Sequence, residues 1–447
     1  MTNFAKRQSL HKAVVTISGL WISSLAGAGC AFATQIMLAR TLGPSAYGQF
    51  SASLALVTLL GTFASFGIPS VLIKVFGAAH ANATLWTKPI YALTATTTVI
   101  AYSIYLAWNI YGNYNYLEVT LAIYLAPIIL SVVVTELVCA KFQVETQHRK
   151  VATFQLFQHL MRLVLIGLAI WSSATLNDRF IHSIVYGSVG VLVACVGIYS
   201  LRGGVKLVKN LTDVHSVPPD NYSKISVSQV LKEAWPFSVA NFCSMAYFQL
   251  GVIILTHLAN DEIAGHYNAA ITIMMAAYLL PTVIYQKFLL SKLHYWSTHD
   301  PIKFLRVYRF GNICMLVLGT ITLLAVALVG PWLIVKLLGV TYAKTATLLP
   351  WMSICAPLRF LAMSAGSVLV TQNNISRKTA IMSVAILCNA FFYVIIVPVY
   401  GVVGAIISSI ISDLILLILY FTAVRKYVFT GATNNGWLFH FQSSTKK

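Results

Sequence analysis

Phe310 to Ile334 reads FGNICMLVLGTITLLAVALVGPWLI, 25 residues without a charged side chain. As a helix rising 1.5 Å per residue it is about 37 Å long, enough to cross a hydrocarbon core of about 30 Å. Outward from this stretch the pattern recurs. Apolar spans run over 14–39, 47–73, 89–111, 117–140, 151–173, 180–201, 235–258, 264–290, 310–334, 346–371, 379–398 and 402–424, twelve in all. They fill more than half of the 447 residues, and the whole chain is 58% hydrophobic, 9% charged and of mean hydropathy +0.79. A soluble domain carries roughly 25% charged residues, so a water-soluble globule is excluded. The fold class expected is an all-α integral membrane protein.

Thirty Lys and Arg against 11 Asp and Glu give a formal charge of +19. Such a balance can mark a nucleic-acid binder, but its distribution assigns it elsewhere. With Lys6, Arg7 and Lys12 in the cytoplasm, only Arg40, Arg179, Lys336 and Lys344 fall on the opposite side, and Arg162 and Arg359 lie within spans. The excess obeys the positive-inside rule and predicts two cytoplasmic termini in a multi-pass protein, with membrane lipids as neighbours and no nucleic-acid partner. The first span is too long for a signal-peptide core and lacks a small-x-small cleavage site, so it is expected to stay. All seven cysteines fall inside spans without C-x-x-C spacing and read as apolar fillers, so no metal site is expected.

The longest interruption, about Arg202 to Lys232, combines repeated charges with a Pro218-Pro219 turn and reads as a cytoplasmic linker. The expected organisation is an N-terminal six-helix lobe over 1–201, a linker over 202–234, and a C-terminal six-helix lobe with a short cytoplasmic tail over 235–447. Self-comparison agrees. LARTLGPSAYGQFSA (Leu38–Ala52) aligns without gaps on LTHLANDEIAGHYNA (Leu255–Ala269), matching Gly48 to Gly265, Phe50 to Tyr267 and Ala52 to Ala269. Arg149-Lys150 after span four is echoed by Arg377-Lys378 after span ten. Six spans separate the matched segments, so the halves are parallel repeats, as in many transporters.

Charges near a span centre cost roughly 2.5–3.5 kcal/mol on insertion scales and are functional candidates by default. Arg162, Arg359 and Asp413 lie near the middle of spans five, ten and twelve, with Glu136 nearer the cytoplasmic end of span four. Gln155, Gln158, His159 and Arg162 share one helical face, which cannot look at lipid. Two readings stand side by side. The arginines are structural cations paired with Asp413, Glu136 or backbone carbonyls, or they line a wet cavity that accepts an anionic solute. Arg40 and Lys74 are further cavity candidates, although long basic side chains near span ends normally snorkel to the interface. His159 is a hydrogen-bonded spacer or a proton site, and Asp413 and Glu136 are the candidates for coupling to an ion. Pro69, Pro127, Pro281 and Pro357 are expected to kink their spans, and Gly27 and Gly29 to let span one bend or a neighbour pack closely. Enzyme signals are thin: there is no G-x-x-x-x-G-K-[ST] loop, no H-E-x-x-H and no long non-cytoplasmic loop to build a catalytic pocket.

Three segments carry a family resemblance. QIMLARTLGPSAYGQFSASLALVTLLGTFASFGIPSVLIK (Gln35–Lys74) resembles the A-R-x-L-G-P-x-x-Y-G pattern of polysaccharide flippases, the Wzx type within the multidrug/oligosaccharidyl-lipid/polysaccharide exporter superfamily. PVYGVVGA (Pro398–Ala405) looks like that superfamily's P-x-x-G-x-x-G-A step between the last two spans. PLRFLAMSAGSVLVTQNNISRK (Pro357–Lys378) resembles its tenth span and following loop, with Asn373-Asn374 replacing the usual small residues. The resemblance implies two lobes around a central cavity and flipping of an undecaprenyl-pyrophosphate-linked oligosaccharide, such as an O-antigen unit, across the bacterial inner membrane. It implies no cofactor beyond an H+ or Na+ counter-ion, and a polysaccharide polymerase and chain-length regulator as partners. The alternatives are another exporter of the superfamily, for drugs or lipid headgroups, and an integral-membrane polymerase or ligase.

Overall fold

The computed structural model describes residues 2–77, 83–112, 116–172, 179–202, 225–282, 284–285, 289–371 and 375–429, and within them every regular element is helical. In chain order these are α1 (Thr2–Ser65), α2 (Ile68–Gly77), α3 (Thr87–Tyr111), α4 (Tyr116–Leu125), α5 (Pro127–Val144), α6 (His148–Ser172), α7 (Arg179–Leu201), α8 (Val227–Leu258), α9 (Asp261–Thr282), α10 (Leu290–His299), α11 (Pro301–Leu338), α12 (Ala343–Met352), α13 (Cys355–Leu369) and α14 (Ile375–Tyr427).

Among the described residues eight stretches are long and apolar enough to cross a membrane, or nine when the 51° bent pair α12–α13 counts as one. The protein is a multi-pass membrane protein. Two of those stretches, Ile22–Phe76 and Ser376–Tyr427, run to 55 and 52 residues. At 1.5 Å per residue each is about 80 Å long, room for two crossings. Each is broken at a glycine: Gly43 has φ 72 and ψ 172, Gly401 φ 56 and ψ −131. Side chains are excluded from both regions of backbone space, which lets the chain turn back at these motif glycines. A count of twelve also needs α9, whose first two turns carry Asp261, Glu262, His266 and Asn268.

Three of the four expected proline kinks fall where a helix restarts. Pro69 is the second residue of α2 after a break at Phe66-Gly67, Pro127 is the first of α5, and Pro357 the third of α13. Proline lacks the amide hydrogen and crowds the carbonyl one turn back, so a first turn takes it without loss, whereas an interior, as at Pro236 of α8 and Pro331 of α11, gives up a backbone hydrogen bond for it. At its start α8 reaches into the expected linker, because Ser226 and Gln229 form a capping box: Gln229 N donates to Ser226 Oγ at 3.3 Å and Ser226 N to Gln229 Oε1 at 3.0 Å. Linker residues 203–224 lie outside the described residues.

The chain forms two compact units. The first comprises Met1–Leu42 and Gln49–Met245, the second Gly43–Gly48 and Ala246–Lys447, so the division falls inside α8. In the first, α5, α6 and α7 enclose an apolar core of Val134, Val138, Val151, Phe154, Val189 and Val193. The first part of α1 lies along α6, where the Ser23 hydroxyl donates to the Ala152 carbonyl at 2.7 Å and Gly27 leaves room for the His159 ring. The second unit centres on α13, packed by α11 and α14. There Gly319 faces Pro357, and a Cβ would stand 2.5 Å from the proline Cα.

Candidate functional site

In the first unit the polar face of α6 turns inward. Gln155 faces Cys139 on α5, Gln158 accepts a hydrogen bond from Thr135 at 3.3 Å, and His159 packs against Gly27 on α1. Phe157, Leu160, Val164, Leu168 and Trp171 form the exposed apolar stripe on the other side. Arg162 extends from the inward face, its guanidinium carbon 5.1 Å from the centre of the Tyr186 ring on α7. Its Nε and Nη2 are buried and have no hydrogen-bond partner among the described residues. Glu136 lies beside Ser65 rather than against this guanidinium. A buried donor left unpaired costs about 1–3 kcal/mol, more when charged. The Nε–Nη2 edge is also the edge with which arginine grips a phosphate or carboxylate through two parallel bonds.

The second unit holds the other span-centre arginine in a different state. Arg359 Nε donates to both carboxylate oxygens of Asp413, at 2.9 and 3.1 Å, and Asp413 is 1% exposed. Tyr247 also donates to Asp413. The guanidinium is boxed by the rings of Tyr247, Phe248 and Tyr278, at 5.0, 4.7 and 5.0 Å from their centres. One turn back on α14, Ser409 joins a hydroxyl cluster with Tyr393 at 2.8 Å and Tyr267 at 3.1 Å, the two phenols being 2.5 Å apart. Arg359 lines a small pocket with Phe248, Met274, Met275, Tyr278 and Ser409.

Of the residues singled out from sequence, the structure gathers Gln155, Gln158, His159 and Arg162 on one inward face and joins Arg359 to Asp413. Arg40 is exposed, and Lys74 is held at the surface by Glu233 at 2.6 Å. Sequence reading missed the aromatic residues Tyr186, Tyr247, Phe248 and Tyr278. The signal available for them was general: a buried guanidinium seeks aromatic faces, but 22 tyrosines and 23 phenylalanines do not say which.

The profile of the family described as polysaccharide biosynthesis protein matches residues 16–289, well over half of the chain. The chain belongs to this family. The resemblance at Gln35–Lys74 falls within that match. A Shigella dysenteriae protein described as "Putative O-antigen transporter" is 25% identical over 199 residues, which are 44% of this chain and 48% of that protein, so the chain matches about half of its length. Among solved structures, the lipid II flippase MurJ in an inward closed conformation superposes with a TM-score of 0.68 at 10% identity over 91% of this chain and 87% of that one. An inward-facing multidrug resistance MATE family transporter of the MOP superfamily gives 0.69 at 12% identity over 94% and 98%. At these identities the likeness is one of fold.

Proposed function

We propose that the chain is a flippase that carries an undecaprenyl-pyrophosphate-linked oligosaccharide across the bacterial cytoplasmic membrane by alternating access, without catalysing a reaction. Membership of a polysaccharide biosynthesis family and the resemblance to an O-antigen transporter point to such a cargo, and the fold shared with a lipid II flippase suits a lipid-linked one. The observation that carries the reading is Arg162, whose buried bidentate edge has no partner among the described residues. An anion is the partner such a group lacks, and a diphosphate supplies oxygens at the matching spacing. The polar neighbours on α6 suit a sugar's hydroxyls, while the polyprenyl tail remains in the bilayer. The cycle is coupled to a proton or sodium ion in this reading, and a polymerase and a chain-length regulator use the exported unit.

The test is to delete the gene and follow the lipid-linked intermediates, which accumulate on the cytoplasmic leaflet if the chain flips them. Complementation with Arg162→Ala should fail at normal protein level. Loss of even one of the two charge-assisted bonds, about 1.5–3 kcal/mol, corresponds to a ten- to hundredfold or greater loss of cargo affinity. Arg162→Lys should retain part of the export, since it keeps the charge and loses the fork. Normal export by Arg162→Ala would overturn the reading.

A further inference from the structure

The two span-centre arginines differ in one respect that bears on how cargo binding is linked to protons: among the described residues no acid is bonded to Arg162, whereas Arg359 carries a resident one. We propose that Asp413 is a displaceable counter-ion. An anionic group entering the pocket of the second unit takes Arg359 away from Asp413, and the released carboxylate takes up one proton. The inference rests on the reading of the cargo as an anion and adds to it the residue that links cargo to protons.

Three observations support it. Both bonds to Asp413 come from Nε, while the Arg359 side chain is 14% exposed and lines the small pocket, so the cation is not sealed in by its partner. Asp413 itself is 1% exposed and cannot turn to water when it loses its cation. Among the described residues, the titratable or charged groups facing it are Tyr247 from α8, Tyr278 from α9, and Cys355 and Arg359 from α13, so Arg359 is the single positive charge in that set. A buried carboxylate without a cation, beside an incoming anion, is strongly disfavoured, and protonation removes the charge. The reaction balances as one proton from water added to one carboxylate oxygen, with no bond to the cargo made or broken. One turn from Asp413, Ser409 joins the hydroxyls of Tyr393 and Tyr267 in a buried cluster. Linkage then runs both ways: a proton on Asp413 strengthens anion binding by the same factor by which the anion strengthens proton binding.

The experiment measures binding of dimethyl pyrophosphate, with one methyl on each phosphorus so that its two charges do not titrate, to the full chain in nanodiscs. Calorimetry in buffers of different ionisation enthalpy counts the protons taken up. Wild type should bind more tightly as pH falls, by up to about tenfold per pH unit, with uptake approaching one proton per ligand. Asp413→Asn, a fixed neutral counterpart, should bind at every pH at least as tightly as wild type does at its most acid point, with no linked uptake. Tyr247→Phe takes a hydrogen bond from the carboxylate and should move the pH dependence to higher pH, which keeps the test decisive should the asparagine variant fold poorly. Wild-type pH dependence and uptake in Asp413→Asn, or an unmoved profile in Tyr247→Phe, would overturn the proposal. If wild type binds the probe without any linked proton and Arg162→Ala abolishes binding, the coupling idea alone falls. If wild type binds no diphosphate at any pH, the cargo reading falls and this inference with it.

Discussion

At Gly265 on α9 a Cβ would fall onto the Pro44 carbonyl, and at Gly48 one would fall onto the carbonyl of Asp261, so the two backbones touch where the repeat alignment paired these glycines. The obstruction is main chain, which cannot rotate aside as a side-chain tip can. Gly265→Ala should therefore destabilise the protein by about 1–3 kcal/mol through overpacking, even though alanine is the better helix former. Gly29, which lies in helix α1 and would bring a Cβ within 4 Å of nothing, supplies the control. Gly29→Ala should be neutral or stabilising by up to about 1 kcal/mol. Thermal unfolding of the purified variants reads both signs, and equal melting temperatures would mean that the crossing can open without cost. Tyr47, beside Gly48, accepts a hydrogen bond from Asn268 at 3.0 Å, so the same crossing is polar on one flank.

At the level of elements, the start of α9 is fastened to α12 by a small ionic group. Glu262 accepts from Lys344 at 3.0 Å and lies 3.6 Å from His266, whose other ring nitrogen is 2.8 Å from the Thr345 hydroxyl. Lys344 holds the Glu262 carboxyl below its ordinary range, by hydrogen bond first and charge second. A depressed carboxyl contributes stability that is present above the usual carboxylate value and lost as pH falls through the lowered one. Lys344→Ala should lower the melting temperature slightly at neutral pH, and the difference from wild type should shrink on acidification through the carboxylate range. Half of the Glu262 side chain is exposed, so the effect should be small and should fade at high salt. A difference that is flat with pH would show that the pair does not hold α9 to α12.

For the whole molecule, the expectation is twelve spans with both termini in the cytoplasm, and reporter fusions after Lys232 and after Lys426 should both report that side. Gly43 and Gly401 are the positions on which the count turns, since each long stretch crosses twice only if the chain reverses there. An exterior signal from either fusion would mean a span count wrong by an odd number.

The sequence by itself determined that this chain lives in a membrane as helices, because a run such as Phe310–Ile334 leaves no other way to satisfy its backbone and bury its side chains. It also located the polar face of α6 and the span-centre charges, since a charge in an apolar helix stands out at any register, and it placed breaks near Pro69, Pro127 and Pro357, where a proline suits the first turn of a new helix. What it could not settle is which charges are paired. Arg162 and Arg359 look alike in sequence, each one basic residue in a long apolar helix. That Asp413, 54 residues further along the chain, meets Arg359 while among the described residues no acid is bonded to the Nε–Nη2 edge of Arg162 was decided by the packing of α13 against α14 and of α6 against α7. Ion pairing is a matter of a few ångströms between side chains on different helices, and apolar periodicity fixes which face a residue lies on, not which face of another helix it meets.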